Sequence, residues 1–109
     1  MPRPAPLSLA LMLAVITGAA AQDPAYTLVI KDHQFQPTEI EVPAGQKIAL
    51  TIKNNDTTPE EFESSALKVE KVIAGKSKAT IYVGPLKAGE YKFAGEYNAK
   101  TAQGVIVAK

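Results

Sequence analysis

Leu86-Lys87-Ala88-Gly89-Glu90-Tyr91-Lys92-Phe93-Ala94-Gly95-Glu96-Tyr97-Asn98 is the stretch whose reading decides the fold. It runs as a strand into a loop, and a closing strand around Val105-Ile106-Val107 completes a unit that ends at Ala108. Tyr91 and Phe93 stand two apart, so both rings share one face of their strand, the face expected to be buried. The loop from Gly95 to Gly104 lies where some β-sandwiches keep a metal.

Outward from this unit the chain reads as strands and turns, with no convincing helix. Tyr26 to Lys31 is an apolar, β-branched run; after Pro37, Ile40 and Val42 share one face and Glu39 and Glu41 the other. Pro43-Ala44-Gly45 is a turn. Ile48, Leu50 and Ile52 then alternate with residues that face water, Lys47, Thr51 and Lys53. Asn54-Asn55-Asp56-Thr57-Thr58-Pro59 is a loop of residues that bond their own backbone, with Asn54 and Asn55 expected to pin it. The acidic block Glu60-Glu61-Phe62-Glu63 follows, anchored by Phe62. Leu67 to Ala74 holds a short strand with Val69, Val72 and Ile73. Gly75-Lys76-Ser77 turns the chain, Ala79, Ile81 and Val83 alternate with Lys78, Thr80 and Tyr82, and Gly84-Pro85 breaks that strand. Seven or eight strands with turn signals about every 8–12 residues indicate an all-β antiparallel sandwich.

The N-terminus carries a different message. Arg3 is followed by an apolar run from Leu7 to Thr17 and by Gly18-Ala19-Ala20-Ala21, the pattern of a secretory signal peptide cleaved after Ala21. An apolar run of about 11 residues is short against ~30 Å of hydrocarbon, which argues against an uncleaved anchor. Of 109 residues, 21 would be lost and 88 would remain as one domain starting at Gln22. That part holds 11 lysines, no arginine and 11 acids, a formal charge of zero apart from His33. Such a balance argues against a nucleic-acid binder, which needs a concentrated basic face. The lysines read as scattered, solubilising surface. There is no cysteine, so an exported domain must hold together by its core alone and lacks the best soft ligand for a redox metal. The expected destination is the periplasm.

Three segments, taken in order, resemble the cupredoxins, the Greek-key sandwich family of plastocyanin. They are Phe35-Gln36-Pro37-Thr38-Glu39-Ile40-Glu41-Val42-Pro43-Ala44-Gly45, then Asn54-Asn55-Asp56-Thr57-Thr58-Pro59-Glu60, then Gly89-x-Tyr91-x-Phe93-x-Gly95-x-x-Asn98. The resemblance implies the cupredoxin fold for residues 22–109. It sets Glu60 at the family's first histidine, Gly95 at its cysteine and Asn98 at its second histidine, with nothing between Thr101 and Gln103 to serve as the axial methionine. A His₂Cys blue-copper centre is therefore excluded on chemistry. A closer resemblance, carried by Lys31-Asp32-His33-x-Phe35, Pro59-Glu60-Glu61-Phe62-Glu63-Ser64, Glu70-Lys71-Val72-Ile73, Gly84-Pro85-Leu86, Gly95-Glu96-Tyr97 and Thr101-Ala102-Gln103-Gly104, is to the cupredoxin-like proteins that accompany bacterial high-affinity ferrous iron-uptake permeases. In those proteins acidic residues replace the copper ligands. The implied role is to bind or oxidise metal during iron import, and a histidine is usual where this chain has Asn98.

The candidate ligands are His33, Glu60, Glu61, Glu63 and Glu96. His33 is the protein's one imidazole; two residues before Phe35, it shares that ring's face if the strand is regular, although a lone histidine is as readily a packed or surface residue. Glu60 falls on the face of Phe62, with Glu61 and Glu63 on the opposite face unless a bulge re-aims them. Read structurally, the same block is a solvated strand that discourages sheet aggregation. A carboxylate turned inward is costly without a partner, so an inward Glu60 needs a metal, a lysine or a proton beside it. Glu96 is a metal candidate or an exposed loop acid. One imidazole with two or three carboxylates would make a hard, open site suited to Cu(II) or iron.

Nothing resembles a nucleophile–base pair or a phosphate-binding glycine loop, so the chain is not expected to be an enzyme. The expectation is a periplasmic protein that binds copper or iron and assists a membrane iron permease. The alternative is a metal-free docking module in an exported complex. The metal reading requires His33 and Glu60 to converge at one pole of the sandwich.

Overall fold

The computed structural model describes residues 22–109; the expected signal peptide, residues 1–21, lies outside the described residues. Nine strands follow one another: β1 (Ala25–Lys31), β2 (Gln34–Gln36), β3 (Glu39–Val42), β4 (Ile48–Asn54), β5 (Glu60–Ser64), β6 (Val69–Ile73), β7 (Lys78–Val83), β8 (Gly89–Gly95) and β9 (Gln103–Ala108). One turn of 3₁₀ helix, Glu96–Asn98, leads out of β8. A four-stranded sheet, β2-β1-β4-β7, faces a five-stranded sheet, β3-β9-β8-β5-β6.

The all-β sandwich stands, with two refinements. The run Tyr26 to Lys31 stands whole within β1, but a turn at Asp32 and His33 separates it from a further short strand, β2, before the chain crosses between sheets at Pro37. The pairing is also mixed rather than wholly antiparallel: β1 runs parallel to β4, and β3 parallel to β9. These two parallel pairs join segments distant in sequence, which short hairpins cannot do.

Alternation sets the core. Leu28, Ile30, Ile48, Leu50, Ile52, Phe62, Ile106 and Ala102 are fully buried between the sheets. The protein's three phenylalanines, one each from β2, β5 and β8, meet there. Phe35 and Phe93 lie edge to face at 5.0 Å, Phe35 and Phe62 at 6.2 Å, and Phe62 and Phe93 are tilted at 5.0 Å. Burial stabilises by about 1.5–3 kcal/mol per large apolar side chain, and such ring pairs add about 0.5–1.5 kcal/mol. Tyr91 shares Phe93's face as its spacing requires, half-buried, its hydroxyl donating to the Lys87 carbonyl at 2.7 Å.

The outward faces of the strands sort their charge by sheet, while most of the lysines lie elsewhere, scattered over turns and loops. The outer side of the five-stranded sheet bears Glu39, Glu41, Glu61, Glu63, Glu70 and Glu90 against a single lysine, Lys92. On the strands of the other sheet the outward charges are Lys31, Lys53 and Lys78, with no acid among them. Strand parity places each charge, but only the sheet order shows that like charges collect on one side.

Candidate functional site

β5 enters from the Asn54–Pro59 loop, and its alternation turns Glu60, Phe62 and Ser64 inward while Glu61 and Glu63 face out. Glu60 is 1% exposed. Its carboxylate takes hydrogen bonds from the backbone N–H of Glu61 and of Tyr97 on Oε1, at 3.0 and 2.9 Å, and from the Asn98 side-chain amide on Oε2, at 2.7 Å. The inward carboxylate therefore has partners of a kind the sequence reading did not foresee: two backbone dipoles and an amide. Neither of the ion pairs formed among the described residues, Lys47–Asp23 and Lys109–Glu41, involves it.

Gly95 explains how the carboxylate fits. A Cβ on Gly95 would lie 2.7 Å from both Glu60 Cδ and Ala102 Cβ and 2.8 Å from Glu60 Oε2. Any side chain there collides with the group Glu60 brings in. The loop beyond is tied back by Gly95 N–H to the Ala102 carbonyl and Ala102 N–H to the Asn98 carbonyl, at 2.9 and 2.8 Å. Asn98 is thus held at the end of its 3₁₀ turn, facing Glu60.

His33 is placed differently from expectation. It does not continue the strand of Phe35: Asp32 and His33 both have positive φ, 54° and 58°, and form the two-residue turn between β1 and β2. That conformation is the primed turn matching hairpin twist. Parity with Phe35 fails because the chain is not extended there, and His33 is exposed. Asp56 clamps the turn, accepting from Asp32 N–H on Oδ1 at 2.8 Å and His33 N–H on Oδ2 at 2.9 Å. These bonds, His33's foremost, hold the Asp56 carboxyl below the usual aspartate range against an opposing desolvation. Asn54 in turn holds the loop as expected, donating to the Thr58 and Ile73 carbonyls and accepting from Asp56 N–H.

The convergence at one pole survives in part. The Thr101 hydroxyl donates to the His33 carbonyl at 2.6 Å, and Thr101 N–H to the Asn98 carbonyl at 3.1 Å. The imidazole-bearing turn and the Glu60–Asn98 pair thus share an end of the sandwich. Glu61 and Glu63 are half-buried on the outer face, and Glu96, the first residue of the 3₁₀ turn, is exposed. Desolvation, then the charges of Glu70, Glu96, Glu63 and Glu60, push the Glu61 carboxyl up. Among the described residues, no three histidine, aspartate or glutamate side chains group so as to hold a metal ion. The five candidates are not one cluster.

Sequence reasoning missed Asp56 and Thr101 as organisers of this pole. The only signal for Asp56 was its place in a loop of backbone-bonding residues.

Residues 5–108 match the family model described as cupredoxin-like domain. The chain belongs to the cupredoxin-like family. A cupredoxin-like chain with this topology is similar in fold to auracyanin A, a "blue" copper protein of Chloroflexus aurantiacus, at a TM-score of 0.66 and 18% identity over 81% of this chain and 100% of that one. It is similar also to the metal-binding domain of a Cu(I)-exporting P-type ATPase of Streptococcus pneumoniae, at 0.66 and 14% identity over 78% and 84% of the two chains. By sequence it is 45% identical over 80 residues to an uncharacterized protein of Rickettsia prowazekii (strain Madrid E); the match spans 73% of this chain and 64% of that relative.

The donors of this cupredoxin-like chain do not fit a resident blue-copper centre. There is no cysteine to supply a thiolate. The space a side chain at Gly95 would need is filled by the Glu60 carboxyl, and Asn98 offers an amide already committed to Glu60. What the geometry does chemically is bind its own loop: a carboxylate–amide lock joins β5 to the segment after β8.

Proposed function

We propose that this is an exported, non-enzymatic cupredoxin-fold protein that serves a membrane metal-uptake system, with iron the metal the sequence resemblance points to, as a docking module without resident copper. One observation carries the reading: the buried Glu60 carboxylate is held by three donors of its own protein, one of them the Asn98 amide. Calorimetric titration with Cu(II), and separately with Fe(II) under argon, tests it. The expected result is no saturable binding tighter than about 100 µM, near −5.5 kcal/mol. Asn98→His, which puts an imidazole beside Glu60, should gain Cu(II) affinity and shows that the titration would detect a site. In cells, a His33→Ala protein should support iron-limited growth as the parent does.

A second reading, in which His33 and the carboxylates bind Cu(II) or iron weakly, is favoured by the Thr101 link that brings the His33 turn to the Glu60 end. Saturable one-to-one binding that is lost in both His33→Ala and Glu60→Gln would establish it and overturn the docking module.

A further inference from the structure

We propose that copies of this chain associate head to tail, the Lys53–Lys78 pair on the outer face of one seated against the Glu63–Glu70 pair on the opposite face of the next. Lys53 and Lys78 are direct partners on β4 and β7, and Glu63 and Glu70 are direct partners on β5 and β6. Like charges directly opposite on neighbouring strands destabilise a sheet. This fold carries one such pair of each sign, on opposite faces, and none of the four groups has an ion-pair partner among the described residues.

The two pairs match in geometry as well as in sign. Directly opposite side chains on paired strands have Cβ atoms about 5 Å apart, so both pairs leave the backbone at the same spacing. Each also edges a recess. Lys53 and Lys78 line a cavity of about 480 Å³ with Asn55 and Ser77, and Lys76 of the adjoining turn adds a further ammonium. Glu63 and Glu70 line one of about 530 Å³ whose other walls are Ser64, Ser65, Lys68 and Val69. The residues next to each pair are short: Thr51 and Thr80 on the lysine side, Ala94 on the glutamate side. The long side chains of these faces stand farther along the strands, Tyr82 on β7 and Lys92 and Glu90 on β8, and border the contact.

Residues 22–109 balance 11 lysines with 11 acids, so there is no net repulsion between copies, and a net charge near zero favours association. A face four strands wide measures roughly 15–20 Å on a side, which falls in the small, transient class of interfaces. The contact is therefore weak and sensitive to salt. It is heterologous, since one face meets the other rather than itself.

Sedimentation of the chain expressed from its full coding sequence, with EDTA present so that no metal contributes, tests this independently of what the pole holds. Between about 20 µM and 1 mM protein the weight-average mass should rise at ~10 mM salt, where charges are screened only beyond about 30 Å, and stay monomeric at ~1 M, where screening acts within about 3 Å. The K53E/K78E protein and the E63K/E70K protein should each remain monomeric alone, and an equimolar mixture of the two should associate again. A mass independent of concentration at low salt overturns the proposal. So does association that survives either double substitution, because the contact then lies elsewhere.

Discussion

Glu60 accepts three hydrogen bonds and donates none, so what can replace it depends on donor and acceptor sense before size. In Glu60→Gln the remaining carbonyl oxygen still serves the Glu61 and Tyr97 N–H groups. The new amide nitrogen faces the amide of Asn98, which can turn over and present its oxygen. The expected cost is below about 1 kcal/mol, the scale of one neutral hydrogen bond. Glu60→Ala removes the acceptor for all three donors, and each buried unsatisfied group costs about 1–3 kcal/mol, so a loss of about 3–5 kcal/mol is expected once water reaches the half-exposed side. Urea unfolding of the two proteins measures the contrast; equal losses would show that the lock contributes through packing and not through hydrogen bonding. That Glu60 turns inward was legible from its parity with Phe62. Its partners were not, because the Tyr97 N–H and the Asn98 amide arrive from a loop 37 and 38 residues away.

The hairpin of β1 and β2 shows how one element depends on a loop from another. Asp32 and His33 hold positive φ, where an L residue is strained, and the Asp56 carboxylate holds both of their N–H groups. Asp56→Ala should loosen that turn at a cost of about 1–2 kcal/mol, the worth of a charge-assisted pair at a partly exposed site. The pH dependence has a definite sign. Asp56 has a folded-state value lowered chiefly by the His33 N–H, so its contribution is fully present above the ordinary aspartate value of about 3.9. It is lost as pH falls through the lower folded value. The gap between parent and Asp56→Ala should therefore persist at pH 6 and close in strong acid, which thermal unfolding across that range measures. The same turn shows why His33 could not be placed from sequence. Parity extends a side chain's direction only along continuous strand, and although Asp32 and His33 are residue types that tolerate positive φ, no glycine follows Asp32 to announce a primed turn. Where alternation was unbroken, as from Ile48 to Asn54, inside and outside were both legible.

Over the whole molecule, charge is distributed by sheet and not by segment. Strand by strand the charges look scattered, and nothing local shows that β3, β5, β6 and β8 send six glutamates, all of theirs but the inward Glu60, to one side. Sheet order depends on the parallel pairings of β1 with β4 and β3 with β9, contacts without a local signal, so the segregation could not be read before the topology was known. Its cost concentrates at Glu61, which lies among Glu63, Glu70, Glu96 and Glu60 and is pushed up first by desolvation and then by those four charges. A carboxyl whose folded-state value is raised binds its proton more tightly in the native than in the unfolded chain. Its ionisation therefore removes stability as pH rises above the ordinary glutamate value of about 4.3. Glu61→Gln removes that ionisation while leaving the Glu61 N–H free to donate to Glu60. The variant should unfold at a higher temperature than the parent at pH 7, with the difference vanishing below about pH 4, where the parent's carboxyl is protonated in both states. Salt should narrow the same difference at pH 7, because the four neighbouring charges act through partly exposed space and are screened. A parent that is the more stable of the two at neutral pH would mean that Glu61 has an attractive partner on this face, and the repulsive account of the glutamate sheet would fail with it.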